Sequence, residues 1–329
     1  MKRSFTYKAL TGALLVLAMT IVAQSCHRVD PDPDMRQAIG FSILETKAGA
    51  TADNIAASGS AFIVRGSASE GSTWASGTAA TIFGGTTVTS NGTKWSYSPL
   101  KYWYPSHAYH FRAVWPASAF GTSGATYTDG LDGNASITGF TVGTNADVDL
   151  LLSDLVTATT DEAGVPTSGI TSGKVKLTFG HILSKVNVSV AQPDATADLR
   201  INEVKISGMK GSGEYSGTST SGTWTLIGSA LSHSKSFSTA QMLDGTNFSP
   251  IWGTDGLFLI PQSLSGITLS VTFQEGASGT PQTLTANLGT SSWLQGKDYE
   301  YKATLTAKQI EFTVKVVDWV DGSTVTLQK

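Results

Sequence analysis

Lys174–Val190 reads KVKLTFGHILSKVNVSV. Val175, Leu177 and Phe179 alternate with Lys176 and Thr178. After His181-Ile182-Leu183-Ser184-Lys185 the alternation resumes through Val186, Val188 and Val190, in a shifted phase. A period of two is the mark of a strand buried on one face. The change of phase predicts a bend, or a crossing between domains, near Gly180.

The same unit, a short alternating run closed by Gly, Ser, Asn or Asp, recurs in both directions. Upstream lies the densest aromatic stretch, Lys94 to Pro116 (KWSYSPLKYWYPSHAYHFRAVWP). There Tyr109, Phe111, Ala113 and Trp115 alternate with His110, Arg112 and Val114, as on a half-buried strand. Phe62 to Val64 reads as a strand, followed by a Gly/Ser/Thr-rich region to about Asn91. Val148 to Val156 reads as a strand or a short turn of helix, and Thr157 to Gly173 as a loop. Downstream, strands are expected at Ile201–Ile206, Gly222–Leu226, Leu257–Ile260, Ile267–Phe273, Leu284–Leu288, Tyr299–Leu305, Ile310–Trp319 and Thr324–Leu327. No long stretch repeats apolar residues at i, i+3, i+4 and i+7. The pattern is that of an all-β sandwich protein.

The N-terminus has a different character. Lys2, Arg3 and Lys8 precede an uncharged run from Ala9 to Ala23, and Val22-Ala23-Gln24-Ser25-Cys26 follows. This is a secretory signal peptide over residues 1–25. Cys26, the chain's one cysteine, stands where a bacterial lipobox places the thiol to be acylated, although an ordinary signal peptide with a chance cysteine reads the same way. Removing 25 residues leaves 304, enough for two domains of about 150. The net charge of -3, with no basic cluster, excludes nucleic acid as a partner. A single cysteine excludes disulfides within the chain and a Cys-based zinc site.

No catalytic constellation is found. There is no Gly-x-Ser-x-Gly elbow, and Gly211-Ser212-Gly213 falls in a hairpin region with no helix after it. His107 and His110 are three apart, so a strand points them to opposite faces and they share no metal. Asp147, Asp149 and Asp154 read as solvated positions beside an apolar run. No catalytic residue, metal or cofactor is assigned. The aromatic stretch carries two readings: sandwich core, or a platform where Trp103, Tyr104 or Trp115 stacks on a sugar ring.

Two strands share a pattern. Ile39-Gly40-Phe41-Ser42-Ile43 and Ile310-Glu311-Phe312-Thr313-Val314 both read Ile-x-Phe-x-(Ile/Val). Either both are core strands of one sandwich, or one can replace the other in the same groove, as in donor-strand β-augmentation. Burying Ile310, Phe312, Val314 and Val316 would contribute very roughly 6–12 kcal/mol before ordering costs.

In this order, several pieces resemble a Bacteroidales fimbrillin, a lipoprotein precursor of type V pili in the minor-fimbrium-like branch. They are the lipobox at Cys26, the first strand running into Thr46-Lys47-Ala48-Gly49, and Tyr102-Trp103-Tyr104-Pro105 with Tyr109-His110-Phe111. The rest are Leu177 to Val186, Leu259-Ile260-Pro261-Gln262, and Val314 to Gly322. The resemblance implies two transthyretin-like β-sandwich domains in tandem, placed at 48–180 and 181–329, after a tether and removable first strand over 26–47. It implies outer-membrane anchoring through lipid, a place in the fimbrium at the cell surface, and other pilus subunits as partners. It also implies a trypsin-like surface protease that cuts after a basic residue beyond the first strand. Lys47 matches that position, where family members commonly carry arginine. Arg36 is a weaker candidate because it precedes the strand, and Arg65 lies beyond a second strand. The plug residues would be Ile39, Phe41 and Ile43. The donor strands would be 310–319, with Ile310, Phe312, Val314, Val316 and Trp319, and 323–328. The alternative function is a surface lipoprotein that binds glycan or host protein without polymerising.

Overall fold

The computed structural model describes residues 36–46, 55–122, 124–144, 146–193, 196–245 and 247–319. The signal peptide, Cys26, Lys47 and the strand expected over 323–328 lie outside the described residues.

The strands begin with β1 (Gly40–Thr46), β2 (Ala61–Glu70), β3 (Ala80–Ser90), β4 (Trp95–Ser96), β5 (His107–Trp115), β6 (Thr126–Asp129) and β7 (Ala135–Thr141). Then come β8 (Leu151–Ser153), β9 (Val156–Thr160), β10 (Pro166–Ser168), β11 (Ile170–Thr171), β12 (Lys174–His181) and β13 (Ser184–Ala191). The last are β14 (Leu199–Gly217), β15 (Gly222–Met242), β16 (Ser249–Pro250), β17 (Leu257–Leu259), β18 (Thr268–Glu275), β19 (Gln282–Asn287), β20 (Lys297–Leu305) and β21 (Ile310–Asp318). They form three sheets. The first runs β1-β12-β8-β5-β2-β3-β4, with β9, β10 and β11 attached; the second runs β16-β13-β20-β21, with β17 on β13. The third runs β19-β18-β14-β7-β6, with β15 on β14.

The alternating side chains fill two cores. Phe41, Phe62, Phe83, Tyr109, Phe111, Leu177 and Phe179 gather in the first. Val186 and Tyr301 of the second sheet join Val204, Ile206, Leu269 and Val271 of the third in the other. The phase change at Gly180 marks the passage between sheets: β12 belongs to the first and β13 to the second. Ile182 and Leu183, between them, are wholly buried. Gly180 has a steric reason to be glycine, because a Cβ there would collide with the carbonyl oxygen of Ser219.

Several expectations need correction. Thr157–Gly173 is not a loop: β9 pairs with β5 and β10, and β11 with β12. The Gly/Ser/Thr-rich region before Asn91 contains β3, because threonine suits a pleated surface and Phe83 and Val88 supply the inward face. β15 runs on to Met242, far beyond Leu226, because its Ser- and Thr-rich sequence pairs with β14 almost throughout.

β5 is buried on both faces rather than one. Tyr109, Phe111 and Ala113 face the first core, while Val114 joins the second. The β6–β7 hairpin leaves the first half of the chain to pair with β14, and it covers the other side of β5. There Arg112 Nη1 donates to Asp129 Oδ2 at 2.9 Å, with both side chains buried. Tyr127 Oη and the Leu131 amide also donate to Asp129, and Arg65 Nε donates to the Tyr127 carbonyl.

Breaking a buried ion pair from one side leaves an uncompensated charge. Arg112→Ala is therefore expected to lower stability by about 3 kcal/mol, and equilibrium urea unfolding at neutral pH reads that loss.

The buried tyrosines make a second prediction. Burial pushes the Tyr109 phenol from 10.0 up to about 12 and raises Tyr127, Tyr215 and Tyr301 as well. A phenol that ionises later in the folded chain favours folding below its unfolded value, and this contribution is lost as pH rises through the folded value. Stability is expected to fall steeply between about pH 10 and about pH 12, with tyrosinate absorbance appearing together with unfolding.

Candidate functional site

β1 runs parallel to β12 at the end of the first sheet, in register from Gly40 opposite Lys174 to Thr46 opposite Phe179, with a bulge between Ile43 and Glu45. Its start is held by other backbone as well. Ile39 N donates to Lys101 O at 2.8 Å, Trp103 N to Gln37 O at 3.1 Å, and Tyr97 Oη to Ile39 O at 2.6 Å. The strand's alternation decides its packing: Ile39 and Phe41 are 1% and 3% exposed, while Gly40, Ser42 and Ile43 are half-buried. The Phe41 ring meets Phe83 at 5.4 Å, Tyr97 at 5.7 Å, Phe62 at 5.8 Å and Phe111 at 6.3 Å, all edge to face. That arrangement suits the aromatic quadrupole.

β21 repeats the motif in a shallower seat. It pairs antiparallel with β20, from Lys297 opposite Asp318 to Leu305 opposite Ile310, and lies at the end of the second sheet. Ile310, Phe312, Val314 and Val316 pack on the second core but stay half-buried, and Glu311, Thr313 and Lys315 are exposed. Phe312 reaches Tyr301 at 5.9 Å.

Trp319, just beyond β21, is 4% exposed. Its ring stacks on His181 at 3.6 Å and 10°, and lies parallel to Phe258 at 5.3 Å. His181 Nδ1 in turn bonds Asp149 Oδ2 at 2.7 Å, both groups buried. The expectation of solvated aspartates thus fails for Asp149. Asp154 is half-buried and accepts from Ser219 Oγ. The one hint in the sequence was the placing of Asp149 directly before Leu150-Leu151-Leu152, where a charge needs a partner.

The three candidate sugar contacts do not form a platform. Trp103 is wholly buried, edge to face with Tyr109 at 4.8 Å, so it has no face for a sugar. Trp115 is half-buried and its Nε1 donates to Ser60 Oγ. Tyr104 is exposed, with the Arg36 guanidinium 5.7 Å from its ring centroid. His107 and His110 bond separate carbonyls, of Pro105 and Leu131.

Residues 46–319 match the fimbrillin-like family. The chain belongs to that family. Its members are structural and adhesive proteins of surface fimbriae rather than enzymes. No curated protein matches. Among solved structures, a fimbrial protein from Bacteroides vulgatus is 15% identical with a TM-score of 0.63, over 86% of this chain and 99% of that one. A protein assigned to cell adhesion from Bacteroides uniformis is 20% identical with a TM-score of 0.54, over 87% and 99%. At these identities the likeness concerns the fold.

Truncating a large buried ring costs about 3–5 kcal/mol. Phe41→Ala is expected to lose that much in urea unfolding, whereas Ser42→Ala, on the opposite face of the strand, is expected to stay within about 0.5 kcal/mol of the parent.

Proposed function

We propose that the protein is a fimbrial subunit that polymerises by exchanging β1 for the C-terminal strand of a neighbour. The observation that carries this reading is the unequal seating of one motif. Phe41 fills a deep aromatic socket, and Phe312 occupies a half-buried edge. A strand patterned like β1 gains roughly 1 kcal/mol per apolar side chain by moving from a half-buried to a fully buried seat. Main-chain pairing with β12 adds to that gain and hides an open edge.

In this reading the chain leaves the cell through its signal peptide and is held at the outer membrane by lipid on Cys26. Its domains, 48–180 and 181–329, are transthyretin-like sandwiches, with the β6–β7 hairpin packing against the second core. A trypsin-like surface protease cuts after Lys47; Arg36, on the far side of β1, would leave the plug in place. The acylated Cys26 departs with residues 26–47, so the subunit is then held by its neighbours. Strand 310–319, with Trp319, and strand 323–328 are the donors. The competing reading is a surface lipoprotein that binds a ligand without polymerising.

N-terminal sequencing of protein taken from cell-surface fibres is expected to find Ala48 first. A blocked Cys26 throughout would favour the competing reading. Phe312→Asp is expected to leave the monomer folded by circular dichroism and to abolish its entry into fibres. Normal incorporation of that variant would sink strand exchange through β21.

A further inference from the structure

The seat of β1 and the fastening of β21 share one strand. β12 carries β1 along Lys174 to Phe179, and two residues later it ends at His181, the residue on which Trp319 stacks. That end of β12 is closely built. Leu151 lies opposite His181 and Ser153 opposite Phe179. Ile182 N donates to Leu150 O at 3.1 Å, and Asp149 holds the His181 ring through Nδ1. Gly180 accepts the close approach of the Ser219 carbonyl, and Gln295 Nε2 bonds the carbonyls of Thr218 and Ser219.

By contrast, β21 is weakly held along its length. Its apolar residues are half-buried, and it pairs only with β20 among the described residues. The Lys297–Asp318 ion pair at its end is more than a third exposed, and such pairs contribute little. The firm attachment is Trp319: its indole is buried against His181 and Phe258, and its amide donates to Gly296 O at 2.8 Å. An edge strand with a shallow face and one buried terminal ring should open as a unit when that ring leaves.

We infer that Trp319 is a latch that keeps β21 on its own core while β1 sits on β12. Loss of β1 loosens the end of β12, weakens the His181–Trp319 stack and frees β21. The biological use of the latch rests on the strand-exchange reading, but the coupling itself belongs to the monomer. Because coupling between two sites is reciprocal, releasing Trp319 must also loosen β1.

Hydrogen exchange by mass spectrometry on the full chain, under native conditions, tests this without any fibre. Trp319→Ala is expected to speed exchange across 310–318 about tenfold or more, and across 40–46 by a smaller, measurable factor. Phe41→Ala is expected to speed both segments. Val88→Ala, a cavity in the same core but on β3, which β8, β5 and β2 separate from β12 in the sheet order, serves as the control and is expected to leave 310–318 unchanged. If Trp319→Ala does not fold, Trp319→Leu keeps an apolar side chain there while removing the stack, and the same result is expected.

Unaltered protection of 310–318 in the Trp319 variant overturns the latch. Acceleration confined to 40–46 in Phe41→Ala, or equal acceleration of 310–318 by Val88→Ala, overturns the coupling through β12. Either result leaves strand exchange standing with an independent release of β21. Conversely, the expected exchange pattern together with fibres that still incorporate Phe312→Asp retains the latch and removes the proposed function.

Discussion

Four aromatic rings from β2, β3, β5 and the segment after β4 converge on Phe41, at centroid distances of 5.4 to 6.3 Å. None of those strands is adjacent to β1 in the first sheet, where its neighbour is β12. The socket is therefore closed by side chains from across the sheet, and β1 enters as its last wall. A socket of this kind is costly to leave empty, because the rings would face water or a cavity. It is also indifferent to which chain supplies the phenylalanine, since dispersion and edge-to-face contacts depend on the ring's shape and quadrupole, which are the same in any chain. The core of the first sheet is thus complete only with β1 in place, and Ile310–Val314 repeats the pattern of that strand.

The second core solves the opposite problem. The β6–β7 hairpin is drawn out of the first half of the chain to pair with β14, and Tyr127, Ile137 and Phe140 pack with residues from beyond position 181. Its attachment to β5 has a polar part, through Arg112, Asp129 and Tyr127, beside the apolar Val114, which shares the hairpin's core. Such pairs contribute little net stability against an apolar alternative. What they can give is register, since Asp129 accepts from Arg112, Tyr127 and Leu131 only in one placement of the hairpin. The two cores are consequently tied by a polar staple on one side and by the passage from β12 to β13 on the other.

The period-two alternation made β1, β5, β12, β13 and β21 legible, because each has an apolar face of Val, Ile, Phe or Tyr. The phase change at Gly180, read as a bend or a crossing between domains, coincides with the change of sheet between β12 and β13. β3 and β15 were partly hidden, since Ser, Thr and Gly carry little hydrophobic signal, and their strand state is set by the partner rather than by composition. Burial on both faces of β5 was illegible for a different reason: its cover comes from a hairpin that pairs with β14, more than 70 residues away in sequence. The Asp149–His181–Trp319 arrangement joins three distant segments, and no local pattern encodes it. Trp103 shows the limit of reading aromatics from sequence, because a platform and a core have the same composition and differ only in what covers them.

Open edges alone do not define an exchange partner. β15 offers a much longer edge than β1 does, 21 residues against 7. Yet β15 is Ser- and Thr-rich and largely exposed, and His233 is its one fully buried residue. A strand added there would gain main-chain hydrogen bonds already available from water, a net gain of only about 1 kcal/mol each before ordering costs. At the β1 position a strand also buries a phenylalanine among four rings and an isoleucine in the same core. Discrimination between the two edges thus comes from side-chain burial. A polar edge stays soluble, whereas an aromatic socket left empty would expose its rings to water.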